Sequence, residues 1–138
     1  MKKNKIVLLQ GAFELLHSGH VRAMKRAKGY GDFLIVAVNT PKLISEYKHR
    51  TPLLSYKDKK IIIQSIRYVD MVVSANHFSP LQLLKEYDVD VYMIAPEWLD
   101  TKQEEIAYMK AKGGEIRMCH NYKNVVRSSD IRRMLSTV

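Results

Sequence analysis

The feature that most constrains this chain is a join near its start. An apolar run, Ile6-Val7-Leu8-Leu9, gives way to small residues at Gly11-Ala12 and then to Phe13-Glu14-Leu15-Leu16-His17-Ser18-Gly19-His20, which opens an amphipathic stretch. A short apolar run closed by a turn signal reads as a buried strand, and the period that follows reads as a helix. Gly11 and Ala12 leave room for a ligand to approach the backbone, and Gly19 leaves room between the histidines. The first N–H groups of a helix lack partners inside it and carry the positive end of its dipole, so this turn suits an anion. His17 and His20 lie one turn apart on the same face and can add donors to that anion. The local chemistry points to a phosphate chain.

Beyond the join, strand and helix patterns alternate. Strands are expected over residues 6–10, 33–39, 71–74, 91–94 and 116–119, and helices over 19–28, 55–66, 79–87, from 101 to the Gly113-Gly114 pair, and 128–135. Ser55 with Asp58, and Thr101 with Glu104, resemble capping boxes, and Ser128 or Ser129 is placed to cap the last helix. Residues 40–52 are polar, basic and aperiodic and read as a loop. Short apolar strands separated by helices imply a parallel sheet covered on both faces, and right-handed crossovers make it doubly wound. Ligands then bind outside the carboxyl ends of the strands, where the strand order reverses, and the Gly11–His20 turn falls at that edge. No repeat, low-complexity tract or linker is visible, so residues 1–138 are expected to form a single domain.

Composition narrows the partners. The formal net charge is +9, but the basic residues are spread along the chain without an aromatic-interleaved stripe, so nucleic acid is not expected as a partner. A triphosphate and a phosphorylated second substrate account for the charge equally well. The longest apolar runs are far too short to span a membrane, so no membrane partner is expected. The start, Met1-Lys2-Lys3-Asn4-Lys5, leads into a strand without the apolar core of a secretory signal. One cysteine, Cys119, rules out an internal disulfide and fits a reducing, cytoplasmic setting; it reads more readily as a small buried apolar residue than as a reactive thiol. His49, His77, His120 and Cys119 show no metal-ligand spacing, and no protein-held metal is expected.

Residues Gly11 to His20 closely resemble the G-T-F-D-L-L-H-x-G-H segment of the cytidylyltransferase-like nucleotidyltransferases, within the H-x-G-H superfamily. The resemblance continues through Arg26-Ala27-Lys28, Gly31-Asp32, Leu34 to Asn39 and Ile66-Arg67-Tyr68-Val69-Asp70. It ends in Val126-Arg127-Ser128-Ser129-Asp130-Ile131-Arg132, which is similar to the family's closing I-S-T-T-x-I element. It implies a Rossmann-like α/β fold and transfer of a nucleoside monophosphate from a nucleoside triphosphate to a phosphorylated small molecule. His17 and His20 are then the catalytic pair. Gly11, Ala12, Phe13, Gly19, Arg127, Ser128 and Ser129 join them in holding the nucleotide, while Glu14, Lys48, Arg50 and Arg67 face the acceptor. Mg2+ would arrive with the triphosphate, and relatives of this kind often form homodimers. Blander readings stand beside these: Phe13 as core, Ser128 and Ser129 as a plain N-cap, Lys48 and Arg50 as solvated loop, Arg127 as a surface residue, and Arg67 in a structural salt bridge.

Several positions depart from the family pattern. Glu14 replaces an aspartate, Lys59 stands where relatives often have arginine, Val125 where they often have glycine, and Ala95-Pro96 where they have Gly-Asp. Residues 66–70 and Glu97-Trp98 look like glycerol-3-phosphate cytidylyltransferases, although the lysine which that branch tends to carry near Ser79-Pro80 is missing. Residues 34–39, Ser79-Pro80 and Gly113-Gly114-Glu115 look like the heptose-1-phosphate adenylyltransferases. The expectation favours CTP and a phosphorylated polyol or sugar. ATP with a heptose-1-phosphate or flavin-type acceptor is the alternative, and a nucleotide-binding protein without turnover is a second.

Overall fold

A computed structural model describes residues 4–49, 51–119 and 128–136. Five parallel strands, β1 (Ile6–Gly11), β2 (Phe33–Asn39), β3 (Met71–Ala75), β4 (Val91–Ile94) and β5 (Glu115–Met118), form one sheet in the order β3-β2-β1-β4-β5. The order reverses between β1 and β4, which sets a crevice at their carboxyl ends. The expected strands all form, and the doubly wound α/β reading holds.

The strands read as continuous apolar runs because both faces are covered. Val7, Leu9, Leu34, Val36 and Val38 join one buried cluster, while Leu8, Ile35 and Ala37 join the other. Helices α1 (Ser18–Lys28) and α3 (Tyr56–Gln64) send Met24, Ala27 and Ile63 into the first cluster. Helices α4 (Leu81–Glu86) and α5 (Gln103–Ala111) send Leu84 and Met109 into the second. Carboxylates fix the strand starts: Asp70 accepts from the Leu34 N–H at 2.7 Å, and Asp90 accepts from the Ile6 N–H at 2.8 Å. No helix among the described residues is long and apolar enough to cross a membrane.

Two expectations are corrected. Residues 40–52 contain a helix, α2 (Pro41–Lys48), capped by the Thr40 hydroxyl, which accepts from the Leu43 N–H at 3.3 Å. Pro41 suits its first position and Leu43 and Ile44 bury its inner side; the apolar stripe is simply too short to stand out among charged neighbours. The Thr101–Glu104 capping box does not form. Residues Pro96–Lys102 make a 3-10 helix, the Thr101 hydroxyl donates to the Trp98 carbonyl at 2.9 Å, and α5 starts after Lys102. The Ser55 cap is present, accepting from the Asp58 N–H at 3.1 Å. The last helix, α6 (Ser128–Ser136), includes Ser128 and Ser129.

Candidate active site

A cavity of about 410 Å³ opens at the carboxyl edge of the sheet, between the ends of β1 and β4. One flank is built by the turn after β1 and the mouths of α1 and α6; the other is built by α2, Phe78 and the 3-10 helix.

His17 is the N-cap of α1 and His20 its third residue, and they cap reciprocally. Nδ1 of His17 accepts from the Gly19 N–H at 3.1 Å, and Nδ1 of His20 accepts from the His17 N–H at 3.2 Å. This is a capping box made with imidazoles in place of hydroxyl and carboxylate. It corrects the expectation about the helix mouth: the Gly19 N–H is taken by a ring nitrogen and the His20 N–H by the His17 carbonyl. The donors that face the cavity are instead the rings. An imidazole that accepts at Nδ1 carries its proton at Nε2, so both histidines present Nε2–H. Burial and the nearby His17 lower the His20 pKa from 6.5 to about 4, so His20 is neutral at physiological pH. The two rings lie 4.0 Å apart between centroids and both line the cavity.

The turn itself is held from below. Phe13 adopts a left-handed φ of 49°, its ring is buried in the core, and it meets the His20 ring edge-on at 5.4 Å. A Cβ on Gly11 would lie 2.8 Å from Cζ of Phe13. The space left by Gly11 is therefore filled by the Phe13 ring and not by a ligand. Lys59 is fully buried on α3, and its ammonium donates to the Ala12 carbonyl at 2.9 Å. Burial holds its pKa below the usual lysine value, with the Glu14 charge opposing that shift.

Glu14 is buried beneath the same turn. Its Oε2 pairs with Nη1 of Arg132 at 2.9 Å and with Nζ of Lys48 at 3.5 Å. One carboxylate thus ties α1's approach, α2 and α6 together and pairs with two cations. Lys48 and Ser129 line the cavity with it, as do Gly11, Ala12, Phe13 and Gly19. Arg67 is elsewhere. It is exposed in the turn between α3 and β3, beside the amino-terminal edge of the sheet, and it makes no hydrogen bond or ion pair among the described residues. Within one chain it faces away from the cavity, which corrects its assignment. Arg50 and Arg127 lie outside the described residues, as does the side chain of Ser128.

On the opposite flank the sequence pointed to Glu97-Trp98 by resemblance but missed Gln10, Asn39, Tyr47, Phe78 and Lys102. Gln10 Nε2 donates to Oδ1 of Asn39 at 2.9 Å and to the His77 carbonyl at 3.2 Å, while Asn39 Nδ2 donates to the Tyr47 hydroxyl at 3.0 Å. Phe78 packs against Tyr47 and Trp98 at centroid distances of 5.5 and 5.3 Å. Lys102, 5% exposed, places its ammonium 3.6 Å from the centroid of the Phe78 ring. A helical stripe in residues 40–48 was the one signal available for Tyr47.

A family model described as cytidylyltransferase-like matches residues 8–134. The chain is 33% identical over 109 residues to a glycerol-3-phosphate cytidylyltransferase of Staphylococcus aureus, covering 78% of this chain and 79% of that protein. It is 32% identical over 143 residues to an FAD synthase of Thermococcus kodakarensis, covering 99% and 96%. A probable ethanolamine-phosphate cytidylyltransferase of Encephalitozoon cuniculi is 34% identical over 97 residues; the match covers 70% of this chain but spans only 30% of that protein. Among solved structures, the lipopolysaccharide core biosynthesis protein from Thermoplasma volcanium GSS1 shares the fold with a TM-score of 0.74 at 19% identity, over 88% of this chain and 100% of that one. The protein is a nucleotidyltransferase. More narrowly, the chain belongs to the cytidylyltransferase-like family.

Proposed function

We propose that the protein transfers a nucleoside monophosphate, CMP in first place, from a nucleoside triphosphate to a phosphorylated small polyol or sugar. An oxygen of the acceptor phosphate forms a bond to the α-phosphorus; the bond from the α-phosphorus to the bridging oxygen breaks, and pyrophosphate leaves with the electron pair. A phosphate dianion is already nucleophilic, so no general base is needed, and catalysis rests on alignment and charge neutralisation.

The observation that carries this reading is the paired imidazole cap, which sets both rings in the lining of the cavity. A neutral His20 serves here because it neither traps pyrophosphate by net charge nor changes with pH near neutrality. His17 and His20 hold the triphosphate and stabilise the charge that develops as the bond to pyrophosphate breaks. Gly11, Ala12, Phe13 and Gly19 shape the turn under it, and Ser129 adds a hydroxyl at the mouth of α6. Lys48 and Arg132 supply positive charge, and both pair with Glu14. Mg2+ enters with the triphosphate, whose oxygens supply much of its coordination. A cytoplasmic setting, where triphosphates are made, suits this chemistry.

A second reading, transfer of AMP to a flavin-type acceptor, is favoured by the aromatic trio Tyr47, Phe78 and Trp98 on the cavity wall. The near full-length likeness to the FAD synthase supports it too. Pyrophosphate release measured for CTP, ATP, GTP and UTP against phosphorylated polyols, sugars and FMN separates the two.

A further inference from the structure

Two buried charges where the 3-10 helix meets α5 direct their hydrogen bonds to one loop. Lys102, 5% exposed, ends the 3-10 helix, and Glu105, 3% exposed, lies one turn further on. The Lys102 ammonium donates to the Phe78 carbonyl at 2.5 Å, its one acceptor among the described residues, and lies over the Phe78 ring. Glu105 accepts through Oε1 from the hydroxyl of Ser79, the next residue in the loop. Its Oε2 is buried and has no hydrogen-bond partner among the described residues. That hydroxyl in turn accepts from the Leu81 N–H at 3.3 Å, at the start of α4.

The two charges form no ion pair with each other among the described residues. They act on one another through space: burial lowers the Lys102 pKa, and the Glu105 charge raises it. Stability alone does not call for this arrangement, because apolar residues of similar volume often pack as well as buried charges or better. What the charges hold is a cavity ring. Residues 76–80 belong to no helix or strand, so the place of Phe78 depends on contacts made from outside the loop. Gln10 reaches the His77 and Phe78 carbonyls from β1 at 3.2 and 3.5 Å; the two charges add the hold on the Phe78 ring and on Ser79. Phe78 comes from the β3–α4 connection, whereas Trp98 and Lys102 come from one 3-10 helix. The Lys102 contact therefore fastens the two elements whose rings meet edge-on in the cavity wall.

We propose that Glu105 and Lys102 are positioning residues that lock the Phe78–Ser79 step to α5 and the 3-10 helix, and so fix the Phe78 ring beside Trp98 as a seat for the nucleotide base. The ligand rests on the nucleotidyl-transfer reading above, since the base is the ring common to its CMP and AMP forms. His17 and His20 lie on the other flank, so the clamp governs nucleotide affinity and leaves the chemical step of the bound complex in place.

The test compares wild type with Glu105→Ala, Glu105→Gln and Ser79→Ala by calorimetry with CTP and ATP, by pyrophosphate release, and by acrylamide quenching of Trp98, the single tryptophan. Glu105→Ala is expected to raise the Kd and KM of the nucleotide the wild type uses at least tenfold, with kcat at saturation within threefold. Its Trp98 quenching constant is expected to rise at least 1.5-fold. Glu105→Gln should fall between Glu105→Ala and wild type, because its amide oxygen still accepts from Ser79 while the charge beside Lys102 is gone. Should Glu105→Ala fail to fold, Ser79→Ala, at an exposed residue, carries the same expectation. Wild-type nucleotide Kd and quenching in the folded variant overturn the inference. A fall in kcat with nucleotide Kd unchanged overturns it too, as does a rise confined to the acceptor KM. A wild type that binds nucleotide but releases no pyrophosphate overturns the transfer reading, and Kd and quenching then decide the clamp alone. A wild type that binds neither CTP nor ATP overturns both.

Discussion

The His17 N–H donates to Nδ1 of His20 at 3.2 Å, so the side chain that we propose holds the triphosphate also closes the first turn of its own helix. Cap and proposed catalyst are one group, and substitutions can part the two roles. Asparagine at position 20 keeps an acceptor near Nδ1 but has nothing at Nε2. His20→Asn is expected to stay folded, with stability within about 1 kcal/mol of wild type, and to lose at least tenfold in turnover. Loss of one transition-state donor typically costs roughly two to three decades of rate. Thermal melts alongside steady-state rates check this, and wild-type turnover in folded His20→Asn would remove His20 from the chemistry.

The same burial makes a pH prediction. The folded His20 pKa is about 4 against 6.5 when free, so between those values the unfolded chain binds more protons at this site than the folded one. Stability then rises with pH across the window. The His20 contribution is present in full above about pH 6.5 and is lost as the pH falls towards 4. Urea unfolding at pH 7.5, 6 and 5 should show a decline that is shallower in His20→Asn, and an NMR titration should find the His20 ring neutral at pH 5.

Gly11 and Phe13 are expected to be coupled. A methyl at position 11 would meet the Phe13 ring at 2.8 Å, and overpacking of this kind costs about 1–3 kcal/mol. Gly11→Ala should lower stability by that order, and Phe13→Leu in the same chain should return part of it. Equal losses in Gly11→Ala with and without Phe13→Leu would show that the ring is not what Gly11 accommodates.

Glu14→Gln removes the charge shared by Arg132 and Lys48 and keeps the shape. Nucleotide affinity is expected to stay within a few fold, because two cations are released towards the phosphates while α6 loses an anchor. Acceptor kcat/KM is expected to fall at least tenfold, and stability by about 1–3 kcal/mol. Calorimetry with nucleotide alone, compared with acceptor kinetics, separates these effects; abolished nucleotide binding in the folded variant would mean that Glu14 shapes the nucleotide turn.

The sheet and the histidine mouth are legible in the sequence because their signals are local. Apolar runs such as 34–38 and 91–94 can only be buried strands, and two histidines with glycine between them at a helix start admit few readings. Other parts depend on contacts between distant residues. Lys59, Lys102 and Arg132 look like surface charge in the sequence, and only tertiary packing buries the first two and brings the third to Glu14. Arg67 fails in the opposite sense. Its motif is local, but α3 runs antiparallel to the strands and delivers it to the far edge of the sheet. Helix α2 was hidden because Leu43 and Ile44 are flanked by lysine, serine and glutamate, which average its periodicity away.

The central claim is transfer by the folded chain, and pyrophosphate release measures it most directly. Purified protein with CTP, Mg2+ and sn-glycerol 3-phosphate, with ATP and FMN as the parallel arm, is expected to release pyrophosphate in proportion to the acceptor consumed, and His17→Ala should lower that rate at least tenfold. Tight nucleotide binding by calorimetry with no pyrophosphate from any nucleotide and acceptor pair would contradict the account and leave a nucleotide-binding protein without turnover.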